Sequence, residues 1–253
     1  MTNPRRLGDM QIGPVAFGCW RFAGATAQEA DARIRAALDA GLTLIDTADI
    51  YGYGEPGGFG AAEALLGEVL GADPALRPRM TLATKAGVAP PTPYDSSPDY
   101  LHKAIDASLR RLKTDAVDLF QLHRPDLMTP WEAQAEALDA IIAAGKARHV
   151  GVSNFTVAQT RALQAHMTAR IVSTQPEFSA LHQDPMTDGV LDWCSETRAT
   201  ALAWSPLAGG ALATGDAADY PRGDAVLAVI DRLAETYGIH RSQIALAFLM
   251  NSQ

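Results

Sequence analysis

Asp46, Tyr51, Lys85 and His123 each stand at or just past the end of a short apolar run, and their side chains are the parts of a proton-delivery site. A free tyrosine has a pKa near 10, too high for an efficient general acid at neutral pH. A cation beside it favours the phenolate and is expected to lower that value. Lys85 is one of only four lysines and ends a buried strand. An unpaired buried ammonium is costly, so it needs a carboxylate, and Asp46 on the neighbouring strand is the natural partner. His123 could hydrogen-bond the same substrate oxygen or relay a proton. The set suits protonation of a developing alkoxide. It contains no obvious nucleophile, and one carboxylate with one histidine makes a poor metal cage, so no metal is expected.

These residues are far apart in sequence and need a scaffold that gathers strand ends. Leu42–Tyr51, Met80–Lys85, Val117–His123, His149–Asn154, Ile171–Gln175 and Ala199–Trp204 are apolar runs ending in polar or aromatic residues, and Val15–Trp20 reads as an earlier strand. Helical patterns fill the gaps, at Thr26–Ala40, Ala61–Leu70 (ending at Gly71), from Ser97-Pro98 with Leu101, Ile105, Leu109 and Leu112 as a buried stripe, then Pro130–Ala144, Thr156–His166 and Pro185–Thr197. Asp224–Tyr237 and Arg241–Met250 also read as helices. Strands alternating with crossover helices predict a parallel sheet, here an α/β (β/α)8 TIM barrel spanning 1–253 as one domain. Seven strands can be counted, so the last β/α unit is expected to be absent from the sequence. In such a barrel Asp46, Tyr51, Lys85, His123, Asn154, Gln175 and Trp204 share one mouth. Ala89–Ser97, rich in proline, predicts a stiff flap on that rim, and Ser205–Asp224 a loop able to cover a ligand. The G-x-G-x-x-G match at 52–57 is broken by Pro56-Gly57-Gly58 before any helix and reads as a loop beside Tyr51.

Composition narrows the class. The chain has 253 residues, 47% apolar and 20% charged, with a net charge of -8 and a pI near 5.2. That balance argues against non-specific nucleic-acid binding. Two cysteines, Cys19 and Cys194, suit a reducing compartment better than a disulfide scaffold. No signal peptide or run of about 18 apolar residues is present, so a cytoplasmic protein without a membrane partner is expected.

The motifs then resemble those of the aldo-keto reductase family. Asp46-Thr47-Ala48-Asp49-Ile50-Tyr51-Gly52 is similar to its D-T-A-x-x-Y-G segment, Thr84-Lys85 to its T-K strand end, and Leu122-His123-Arg124-Pro125-Asp126 to its L-H-x-P-D. Gly151-Val152-Ser153-Asn154-Phe155 resembles its G-V-S-N-F, and Gln175 the glutamine ending the next strand. The resemblance implies carbonyl reduction by hydride transfer from a nicotinamide cofactor, with Tyr51 as general acid, Lys85 and Asp46 as its tuners, and His123 orienting the carbonyl. It implies NADP as cofactor, NADPH by family habit, although the family's 2′-phosphate-binding segment lies beyond this sequence. Ser153, Asn154 and Gln175 would hold the carboxamide and Trp204 would stack on the nicotinamide. Ser205, Leu207 and Gly209, in the loop Ser205–Leu212, would wrap the pyrophosphate. Trp20 and Tyr94 are the expected pocket walls, the partner a small carbonyl compound, and the protein a monomer. The same fold and tetrad also occur in regulatory potassium-channel subunits, so a redox-sensing subunit with little turnover is the alternative. A Schiff-base aldolase using Lys85 is a third, weaker one.

Overall fold

The structure is a computed structural model that describes residues 4–22 and 24–252. It comprises two compact units, Met1–Ser173 and Thr174–Gln253. No helix among the described residues is long and apolar enough to cross a membrane.

The first unit opens with an antiparallel hairpin, β1 (Arg5–Leu7) and β2 (Met10–Ile12), whose turn residue Asp9 binds His149 Nε2 at 2.7 Å. Parallel strands follow in chain order: β3 (Phe17–Gly18), β4 (Leu44–Asp46), β5 (Thr81–Ala86), β6 (Val117–Leu122) and β7 (Ala147–Ser153). Strand β8 (Ile171–Gln175) comes next and runs into the second unit. Every residue of β4 and β5 is buried, with no inside–outside alternation, as expected of a parallel sheet covered on both faces. With one short strand in the second unit, seven strands stand in chain order among the described residues, the repeating arrangement of a β/α barrel with one strand fewer than eight.

Helices α1 (Ala27–Asp39), α2 (Ala61–Ala72), α3 (Pro98–Leu112), α4 (Trp131–Ala143) and α5 (Val157–Gln164) connect these strands. Thr26 and Glu29 form a capping box at the start of α1, and Thr156 and Gln159 form another at α5. Two expected boundaries shift. Helix α2 runs through Gly71 to Ala72, because Asp73 closes it and caps the following turn. The strand expected over Val15–Trp20 shrinks to two residues: the Cys19 N–H still donates to Asp46 O (2.8 Å), but Trp20 has already entered a 3-10 turn, Trp20–Phe22. Within the expected stripe of α3, Leu101, Ile105 and Leu112 are buried whereas Leu109 is half-buried.

The second unit holds α6 (Val190–Thr197), β9 (Thr200–Ala201), α7 (Ala211–Thr214), α8 (Gly223–Tyr237) and α9 (Arg241–Asn251). Ala180, Ala208, Leu212, Leu227, Ile230 and Ala245 form its core. The helix expected over Pro185–Thr197 splits into a 3-10 turn, Asp184–Met186, and α6, because Gly189 adopts φ 89° between them. The strand expected over Ala199–Trp204 is regular for two residues only. Pro176 has no N–H to donate, so the pairing breaks there and resumes as an isolated bridge between Glu177 and Trp204. The segment expected as a loop from Ser205 to Asp224 contains α7 and folds back on itself, the Tyr220 hydroxyl donating to Ala208 O at 3.1 Å.

Candidate active site

Strands β4, β5 and β6 deliver Asp46, Lys85 and His123 from neighbouring positions, since Asp46 lies in register with Ala83 and Lys85 with Gln121. Lys85 is fully buried. Its ammonium donates to Asp46 Oδ2 at 2.6 Å and to Thr47 O at 2.9 Å, and the Tyr51 ring lies beside it with its centroid 5.0 Å away. Burial alone would pull Lys85 down, but Asp46 and then Tyr51 beside it outweigh that, and the net shift is upward. Lys85 is therefore a permanent cation.

Tyr51 lies among three groups. The Lys85 Nζ is 5.0 Å from its ring centroid, the His123 ring meets it edge-on at 5.8 Å, and the Trp20 indole lies nearly parallel to it at 5.8 Å. Burial raises the pKa of Tyr51 above its ordinary value, and the Lys85 cation offsets this only in part. The expected lowering is thus overturned: desolvation of the phenolate outweighs the ammonium. Tyr51 keeps its proton at every ordinary pH.

His123 moves the other way. Burial, helped by the charges of Lys85 and Arg124, lowers its pKa to about 3. It is a neutral imidazole at physiological pH, able to donate one N–H but not to hold the second proton that a relay through imidazolium requires. Its backbone oxygen accepts from Asn154 Nδ2 at 3.1 Å, and the same nitrogen donates to Ser153 Oγ at 2.9 Å. Asn154 holds a left-handed backbone, φ 62°, at the end of β7.

Of the residues expected from sequence, the first unit thus brings together Asp46, Tyr51, Lys85, His123, Trp20, Ser153 and Asn154. Trp20 is 66% exposed and Tyr94 41% exposed, the latter on the flap 89–97, where an isolated bridge joins Ala89 to Thr92. In the second unit Gln175 is buried at the end of β8 and Trp204 sits at the bridge to Glu177. Ser205 Oγ accepts from the Gly209 N–H at 2.9 Å, and Ser205, Ala208, Gly209 and Gly210 all have positive φ, so the backbone around Leu207 coils tightly. A nicotinamide carboxamide needs both donors and acceptors. Within the first unit the Ser153 hydroxyl and the Asn154 amide supply both kinds, so the residues present there fit that group.

Three supports of the site were not apparent in the sequence. Glu63 of α2 is fully buried, accepting from Thr84 Oγ1 (2.5 Å) and Arg111 Nε (2.7 Å). Helices α2 and α3 approach closely enough for this only because Gly67 faces the Arg111 carbonyl, where a Cβ would collide. Asp49, between Asp46 and Tyr51, is buried against Tyr100. Asp126 joins two rim loops: its carboxylate accepts from the N–H groups of Ser96 (3.0 Å) and Met128 (2.8 Å) and from Thr129 Oγ1 (2.6 Å). Burial alone would raise its pKa, but these donors outweigh that and hold it below the usual carboxylate range. The sequence signal for Asp126 was its place in the Leu122–Asp126 motif. Asp126→Ala removes three bonds to a charged acceptor, each worth about 1.5–3 kcal/mol. Cleavage within 88–97 by a non-specific protease is expected to quicken about tenfold or more, since 1.4 kcal/mol is a factor of ten. An unchanged cleavage rate would remove Asp126 from this role.

The sequence pattern of the aldo/keto reductase family matches residues 14–253. The chain is 49% identical to 6-dehydroglucose reductase of Novosphingobium aromaticivorans, over 97% of this chain and 81% of that one. It is 36% identical to 6-dehydroglucose reductase of Agrobacterium fabrum, over 95% and 81%. Among solved structures, an aldo/keto reductase from Klebsiella pneumoniae in complex with NADP and acetate superposes with a TM-score of 0.79 at 27% identity, covering all of this chain and 82% of that one. This chain is an enzyme of the aldo/keto reductase family.

Proposed function

We propose that the protein reduces an aldehyde or ketone to an alcohol with NADPH, and that Tyr51 is the general acid. The observation that carries this is the fully buried Lys85 ammonium, bound to Asp46 and Thr47 and 5.0 Å from the centre of the Tyr51 ring, a fixed cation beside the phenol. A bound nicotinamide supplies the hydride. The chain's own residues handle the oxygen. The neutral His123 donates an N–H to the substrate carbonyl, orienting it and polarising it. As the carbonyl oxygen becomes an alkoxide, the Tyr51 proton passes to it, and the resulting phenolate faces the Lys85 cation. Asp46 keeps that cation charged through the cycle, and solvent reprotonates Tyr51.

Cofactor contacts are assigned to Ser153 and Asn154 in the first unit and to Gln175, Trp204, Ser205, Leu207 and Gly209 in the second. Trp20 and Tyr94 are assigned to the substrate pocket. The 49% and 36% relatives carry the name 6-dehydroglucose reductase, which favours an oxidised sugar bearing an aldehyde as substrate. Action in the cytoplasm accompanies this, supported by two buried, free thiols, Cys19 and Cys194, and the assigned state is a monomer.

Loss of reduced-nicotinamide absorbance, followed with NADPH and then NADH against 6-dehydroglucose and simple aldehydes, tests the assignment. Turnover is expected with NADPH, and kcat/KM is expected to be at least about tenfold higher for the sugar aldehyde, the discrimination one or two well-placed hydrogen bonds provide. No oxidation with any carbonyl would overturn it.

A further inference from the structure

Asp49 takes no part in the steps above, yet it occupies the middle of the turn that joins Asp46 to Tyr51. Its side chain is 1% exposed. Its N–H donates to Lys85 O at 3.0 Å, and the next bonds of the same turn run from Tyr51 N to Ala48 O and from Tyr53 N to Ile50 O. The Tyr100 hydroxyl of α3 donates to Oδ2 at 3.2 Å, while Oδ1 is buried and has no hydrogen-bond partner.

The neighbouring charges are already committed. From α2, Glu63 faces Asp49 as a second buried carboxyl, and its oxygens accept from Thr84 and Arg111. From α3, Arg111 is the nearby cation, and its Nε and Nη2 are both bound to Glu63. Tyr100 is the other α3 group, with Asp95 beyond it. From β5, Lys85 turns its carbonyl toward Asp49 and its ammonium toward Asp46. Two buried carboxyls thus share one guanidinium, and Glu63 holds it.

We propose that Asp49 is a positioning residue that holds the Asp46–Tyr51 turn only as an uncharged acid, and that its ionisation, rather than that of Tyr51, ends activity on the alkaline side. The proposal rests on Tyr51 as the acid. A carboxylate at this depth whose nearby cation is already bound to Glu63 must reach for water, and any such movement displaces the turn that carries Tyr51. Burial, reinforced by the charge of Glu63, pushes Asp49 up to about 8, while Tyr51 stays above its ordinary value. An unfolded aspartate ionises near 3.9, so between roughly pH 4 and 8 the folded protein holds a proton that the unfolded chain has lost. The stability this group contributes is full below about pH 4 and declines as pH rises toward 8.

Asp49→Asn, a neutral side chain of the same shape, tests this. In the wild type kcat/KM is expected to fall with an apparent pKa near 8, and in the variant that limb is expected to move up by at least about one pH unit. The same limb in both proteins would overturn the proposal. Thermal midpoints provide a readout independent of turnover: the difference, variant minus wild type, should grow between about pH 5 and 8 and level off above. A difference constant with pH would overturn it. Should the variant not fold, the 13C carboxyl signal of Asp49 in the wild type is expected to titrate near pH 8, and titration near 4 would overturn it. If the wild type turns over no carbonyl at any pH, the assigned function fails while the melting and carboxyl measurements still decide the state of Asp49.

Discussion

Tyr51→Phe is expected to lower kcat by about 10² to 10⁴, the range for removal of a positioned general acid. The substitution keeps the ring, and with it the near-parallel contact to Trp20 and the edge contact of His123. It deletes one oxygen and one proton. Lys85 retains Asp46 at 2.6 Å and Thr47 at 2.9 Å, so the cation stays in place. Cofactor affinity, measured by fluorescence titration, should therefore change by less than about threefold, because the lost interaction is made in the transition state and not in the binary complex. Turnover within a factor of about two of wild type would take Tyr51 out of the acid's role, and a parallel collapse of cofactor affinity would mean that the phenol acts in binding.

Arg111→Met is expected to destabilise the protein by about 3–5 kcal/mol, the usual cost of leaving a buried charge without its partner. Glu63 has no exposed surface, and Arg111 meets it through both Nε and Nη2, at 2.7 and 2.6 Å. Methionine fills the space of the aliphatic stem but leaves the carboxylate with the Thr84 hydroxyl alone. Denaturant titration should show a lower midpoint at similar slope. Adding Glu63→Gln removes the orphaned charge and is expected to restore more than half of the loss, since an amide oxygen can still accept from Thr84. A single-variant cost below about 1 kcal/mol, or no recovery in the double variant, would show that Glu63 is not charged in the folded protein.

The contrast between these two predictions reflects what a linear sequence makes legible. The tetrad was readable because a barrel places chemistry where strands end, and Asp46, Lys85 and His123 stand at or just past the ends of apolar runs. The ion pair of Lys85 with Asp46 followed from the cost of burying an ammonium alone. Glu63 and Arg111 are 48 residues apart on two helices, and nothing local distinguishes them from exposed charges. Only the close approach at Gly67 makes them partners. Asp49 failed to register for a similar reason, since an aspartate in a turn ordinarily faces water. The direction of the Tyr51 shift was missed because spacing reveals that a cation is near but not how much water has been removed. In the second unit Pro176 and Gly189 shortened a strand and a helix whose apolar patterns ran past them.

An enzyme that reduces carbonyl compounds must keep its own amines from condensing with them. Lys85 is an amine beside Tyr51, the proposed acid, and a lysine that released a proton there would carry a lone pair ready to form an imine. With no exposed surface and a pKa held above the ordinary value, that nitrogen is chemically silent toward electrophiles. The clasp that makes it a fixed charge also spares the enzyme from covalent capture by its own substrate.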